Sequence, residues 1–71
     1  MPWNEDDLRS VEGHMAQALE YINLQEARIR EMQREGRDTK DADDLLRSLR
    51  QTLALLWRHR NVIKSYLKHG Q

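Results

Sequence analysis

Apolar residues recur every seven positions in two separate stretches of this 71-residue chain, and one short interruption divides them. Leu8, Met15, Ile22 and Ile29 form the first series; Ala42, Leu49, Leu56 and Ile63 form the second. A seven-residue apolar repeat is what a helix needs to keep one face against a partner helix along its length. Between the series lies Gly36-Arg37-Asp38-Thr39-Lys40-Asp41-Ala42. Helices commonly end in a left-handed residue, which Gly adopts without steric cost. Asp38 or Thr39 can cap the helix that follows, with Asp38 and Asp41 as a short form of the capping box. The spacing therefore predicts an all-α, antiparallel helical hairpin forming a single domain over 1–71. Helix 1 is expected over about 4–35, the turn over 36–38 and helix 2 over about 39–68, because so short a connection favours antiparallel neighbours.

Local chemistry supports both ends of each helix. Asn4 is a strong N-cap with Asp7 at the third helical position, and Glu5, Asp6 and Asp7 suit the positive end of the helix dipole. Asp41, Asp43 and Asp44 do the same for helix 2, which finishes in Lys64, Lys68 and His69 before Gly70. In helix 1, Val11, Ala18 and Met32 fill the second seam position and Leu19 widens the stripe. Gln25 falls where an apolar residue belongs, which either fixes register or sends the amide to solvent. Gly13 weakens the helix by about 1 kcal/mol relative to Ala, unless a neighbouring helix needs the space. In helix 2, Leu45, Thr52, His59 and Tyr66 are expected at the second seam position, with Leu46, Leu53 and Leu67 on one side and Leu55 and Val62 on the other. The residues expected to carry the seam of the hairpin or of its dimer are Leu8, Val11, Met15, Ile22, Ile29, Met32, Leu45, Leu49, Leu53, Leu56 and Ile63.

Charge gives an independent test of the fold-back. Residues 1–27 hold six acids and one base, Arg9, whereas residues 47–71 hold six bases and no acid. Only an antiparallel arrangement lays these halves side by side. Each exposed pair contributes about 0.2–1 kcal/mol, enough to select orientation rather than to supply stability.

Two helices of this length make a rod of roughly 45 Å with one seam and no enclosed core. Chains this small usually need a staple or self-association, and there is no Cys to form a disulfide. The apolar face of helix 2 is wider than one partner helix covers. A homodimer forming a four-helix bundle is the expected outcome.

Composition excludes several functions. The formal net charge is zero, which gives no global reason to bind nucleic acid or acidic lipid. The longest apolar run, Leu53-Ala54-Leu55-Leu56-Trp57, is far shorter than a membrane span, and Met1-Pro2-Trp3-Asn4 leads into acids rather than a signal peptide, so a cytoplasmic protein is expected. No metal or other cofactor is expected. His14 and His59 fall at similar heights in a hairpin, but zinc needs three or four placed ligands. A di-iron site needs Glu-x-x-His, and Val11 and Leu56 stand where the Glu would be. Ser10, Ser48 and Ser65 lack an activating motif, and there is no phosphate-binding Gly loop. The chain reads as a non-enzyme.

One surface stands out: Arg47, Arg50, Arg58, Lys64 and Lys68 on helix 2, with Trp57 among them. The expected function is a protein-interaction or regulatory module, with Trp57, Arg58 and Tyr66 as anchors for an unknown protein partner. The alternative is a nucleic-acid-binding dimer, in which the basic face contacts phosphates and Trp57 stacks on a base.

From Glu26 to Arg60 the chain, with Gly36-Arg37-Asp38-Thr39-Lys40-Asp41-Ala42-Asp43-Asp44-Leu45-Leu46 at its centre, resembles a group of short proteobacterial two-helix proteins sharing a G-x-D-T-x-x-A-x-x-L-L turn. The resemblance covers about residues 20–60. It implies a bacterial origin and the hairpin, and the group has no assigned activity to carry over.

Overall fold

A computed structural model describes residues 3–69. Helix α1 runs Glu5–Arg34 and helix α2 runs Lys40–His69, each of 30 residues, with no strand among the described residues. The two pack against each other along their length as a hairpin measuring 56 × 15 × 14 Å. The radius of gyration is 16.3 Å, where a compact chain of this length would have about 11 Å. The molecule is therefore a narrow rod with a single seam between its two helices. Neither helix is long and apolar enough to cross a membrane.

Local hydrogen bonding explains where each helix begins and ends. Asn4 is the N-cap of α1. Its Oδ1 accepts from the Asp7 N–H at 2.9 Å, and Asp7 Oδ2 accepts from the Asn4 N–H at 2.9 Å. This reciprocal box satisfies two donors that the first turn leaves free. At the other end Gly36 takes φ +71°. The Gly36 N–H donates to Gln33 O at 3.1 Å and the Arg37 N–H to Met32 O at 2.9 Å, the paired bonds of a Schellman ending.

The start of α2 departs from the expected box. Asp38 and Asp41 do not pair. Instead Asp38 Oδ1 accepts from the Lys40 N–H at 3.0 Å, and the Thr39 hydroxyl donates to Asp43 Oδ2 at 2.9 Å. The Asp43 N–H donates to Thr39 O at 2.8 Å, which makes Thr39 the cap residue. The cap sits one residue later than that box requires: with Thr39 as cap and Lys40 as the first helical residue, Asp41 stands at the second helical position rather than the third. Gly70, expected to terminate α2, lies outside the described residues.

The seam of α1 follows its sequence pattern. Val11, Ala18, Ile22 and Ile29 are buried, and Leu8, Met15, Gln25 and Met32 are half-buried. Gln25 crosses the seam and its Nε2 donates to Ala42 O at 3.0 Å. The amide thus binds the other helix rather than solvent, just inside the turn.

The first seam series of α2 stands as expected, with Ile63 buried and Ala42, Leu49 and Leu56 half-buried, while the second series is displaced by one residue. Leu45 is 51% exposed, whereas Leu46 is buried and joins Ile22 and Ile29, with Ala42, Leu49 and Leu53 packed around them. The second position is carried by Leu46, Leu53, Arg60 and Leu67, all buried or half-buried; Thr52 and His59 are exposed. Arg60 is tolerated there because its Nε donates to Glu12 Oε2 at 3.1 Å and its Nη1 to Asn61 Oδ1 at 3.3 Å. Its aliphatic stem stays on the seam while the charge reaches the acid. Arg50 and Glu26 make a second cross-helix pair at 2.7 Å. Both pairs join the acidic half of α1 to the basic half of α2, as the antiparallel reading requires.

The two described glycines are opposites. An added Cβ at Gly13 meets nothing within 4 Å, so no close helix approach explains it. Gly13→Ala is expected to stabilise the fold by about 0.5–1 kcal/mol, raising the melting midpoint by roughly 2–8 °C. Gly36→Ala also meets no steric obstacle, yet its left-handed backbone is expected to cost about 1 kcal/mol or more. Parallel thermal melts by circular dichroism check both; equal shifts of the same sign would contradict the assignment.

Candidate functional site

With the seam placed, helical periodicity divides the rest of the surface into two flanks. On one, Trp57 lies seven residues after Arg50 and seven before Lys64, so all three share a face of α2. Opposite them on α1 stands Leu19. Met15, Leu19, Arg50, Leu53, Ala54, Trp57 and Arg58 line an open groove of about 720 Å³ between the helices. Trp57 is 54% exposed. It borders the groove beside the seam rather than facing directly away from α1. Two cross-helix pairs border the groove, Glu26–Arg50 toward the turn and Glu12–Arg60 toward the open end.

The basic residues of this flank fall into two groups. Arg47 pairs with Asp44 at 3.0 Å, Arg50 with Glu26, and Arg60 with Glu12. Arg58, Lys64 and Lys68 have no carboxylate within ion-pair distance among the described residues. The uncompensated positive charge therefore sits on the half of the groove away from the turn.

The other flank is broader and more apolar. Tyr21, Leu24, Gln25, Arg28, Leu45 and Leu49 line one depression of about 410 Å³. Two more adjoin it: one of about 270 Å³ among His14, Gln17, Tyr21, Thr52 and Leu56, and one of about 450 Å³ among Arg28, Met32, Asp41 and Leu45. Leu55 follows Thr52 by three residues and Val62 follows Leu55 by seven, which continues the same stripe along α2. Of the seven large apolar residues that stay exposed among the described residues, Tyr21, Leu24, Leu45, Leu55 and Val62 lie on this flank and Leu19 and Trp57 on the other.

No family model, no curated protein and no solved structure matches the chain. The functional reading rests on this geometry.

The geometry separates residues that the sequence groups together. Trp57, Arg58 and Tyr66 are expected from the sequence to act as one set of anchors. Nine residues are about two and a half helical turns, so Tyr66 projects from the opposite flank to Trp57. It is half-buried there. Of the other expected surface residues, Arg50, Trp57 and Arg58 line one groove.

The histidines take distinct surroundings. The His59 ring packs edge-on against Trp3, with centroids 4.9 Å apart and planes at 82°, a favourable aromatic geometry. His14 opens into the depression with Gln17 and Thr52. Among the described residues no group of three or more His, Asp or Glu is placed to hold a metal ion. The Trp3–His59 contact has no signal in the sequence: Trp3 precedes the N-cap, and only the chain reversal brings it to residue 59.

Proposed function

We propose that this chain is a small non-enzymatic protein-interaction module, which pairs with a second copy of itself into a four-helix bundle and offers the Trp57 flank to another protein. One observation carries the self-association: the stripe of Tyr21, Leu24, Leu45, Leu55 and Val62, left exposed on one side of a two-helix rod. An apolar stripe that runs along a helix pair is what a second pair covers in a four-helix bundle. The rod's thin core adds to this, since two helices of this size gain much of their stability from further burial.

The Trp57 flank supplies the other half of the reading. Interface anchors favour Trp and Arg set in partly apolar clefts, and Trp57 with Arg58 borders such a cleft. A second reading, binding of nucleic acid by the basic face, is favoured by the unpaired Arg58, Lys64 and Lys68. It is weakened by the apolar floor of the same groove, Met15, Leu19, Leu53 and Ala54, which a phosphate backbone does not use.

Sedimentation equilibrium from about 1 to 100 µM tests the self-association, a range in which an interface of ordinary size is populated. The expected mass is twice the 8.5 kDa of one chain. A cooperatively folded species of single-chain mass at the top of that range would overturn the proposal.

A further inference from the structure

We propose that the occupant of the Trp57 groove is an acidic amphipathic helix. This deepens the partner half of the function proposed above and rests on it. The groove runs between two antiparallel helices, and its floor is aliphatic: Met15, Leu19, Leu53 and Ala54. A third helix laid along such a groove buries an apolar stripe at three- and four-residue spacing. From Arg50 to Lys64 the groove side of α2 covers about 21 Å, or some four turns of an opposing helix.

Charge selects the sign of that helix. Arg58 lines the groove and Lys64 lies seven residues beyond Trp57 on the same face, neither with an ion-pair partner among the described residues. Lys68 extends the series by one turn. A helix carrying Glu or Asp beside its apolar stripe would meet these cations while its leucines cover Leu19 and Trp57. Nucleic acid fits less well, because a phosphate chain gains nothing from an aliphatic floor and a single exposed Trp provides one stacking platform. A second copy fits less well too: the five-residue apolar stripe of the other flank offers it more surface to bury.

The test uses the full chain carrying Trp3→Phe, so that Trp57 is the sole indole, titrated with a peptide of about 18 residues with Leu at helical spacing, Glu flanking it and Ala elsewhere. A matched peptide has Lys for Glu, and a single-stranded RNA of similar length is the third probe. The expected result is a blue shift of Trp57 emission with the Glu peptide, weakening as salt rises, and none with the Lys peptide. Arg58→Glu with Lys64→Glu is expected to weaken Glu-peptide binding by at least about tenfold, while leaving the helical signal unchanged, because neither side chain holds the hairpin together.

Equal binding of both peptides, tighter binding of RNA, or no change of emission with either peptide would overturn the proposal. So would a Trp57 emission that shifts on dilution of the protein alone, which would place a second copy in the groove. Sedimentation of the same samples keeps the two readings apart: single-chain mass with intact peptide binding removes the four-helix bundle and leaves the acidic helix, and the reverse pattern does the opposite.

Discussion

Ile63→Ala is expected to remove most of the cooperative helical melt near room temperature. Ile63 is the one fully buried side chain among the described residues, at 0% exposure. Truncating such a residue costs about 2–4 kcal/mol through lost burial and the cavity left behind. A single core in a chain this small rarely supplies more than about 3–5 kcal/mol in total. Ile63→Val removes one methyl group and is expected to cost about 1 kcal/mol, which a thermal melt resolves as a shift of the midpoint. The pair is diagnostic. If Ile63→Ala melts within a few degrees of the parent chain, the residue is not packed as described.

The second large effect belongs to the apolar flank. Leu24 and Leu55 are 63% and 62% exposed in the hairpin, so replacing both by Glu leaves the seam untouched and keeps good helix formers at both positions. In a two-fold dimer each substitution acts twice. At about 1 kcal/mol or more for each leucine burial lost, self-association is expected to weaken by roughly 10³-fold. Sedimentation would then show single-chain mass where the parent chain is dimeric, with helicity retained. Leu19→Glu, on the Trp57 flank, is the control and is expected to leave the mass unchanged. If it dissociates the dimer instead, the two flanks have exchanged roles.

Much of the hairpin is legible in the residues because its signals are local. The Asn4–Asp7 box and the Gly36 ending each depend on groups within five residues of one another, and their chemistry is the same in a short peptide as in the fold. The choice of stripe on α2 is not local. Two stripes with the same spacing run side by side, Leu45-Thr52-His59-Tyr66 and Leu46-Leu53-Arg60-Leu67. Arg60 gives the latter stripe a charged member, which is acceptable on the seam because Glu12 on the other helix and the neighbouring Asn61 both accept from its guanidinium. The signal in its favour is three leucines against one. The same one-residue displacement releases Leu45 to the apolar flank. The separation of Tyr66 from Trp57 does not depend on that choice: nine residues are two and a half turns of any α-helix, so it is legible in the spacing.

The single reversal at Gly36 also sets an order of events in folding. The cross-helix contacts close progressively longer loops with distance from the turn: Gln25 to Ala42 spans 17 residues, Glu26 to Arg50 spans 24 and Glu12 to Arg60 spans 48. Closing the longest of these directly costs about 0.9 kcal/mol more chain entropy than closing the shortest. The helices are therefore expected to zip from Gly36 outward, with Ile22, Ile29 and Leu46 coming together early and Ile63 and the Trp3–His59 contact forming near the end. Contacts made after the rate-limiting step leave the folding rate alone and govern how long the folded state lasts. Substitutions at Ile63 should accordingly speed unfolding, and those at Ile29 or Leu46 should slow folding, so that the lifetime of the hairpin is set at the end farthest from its turn.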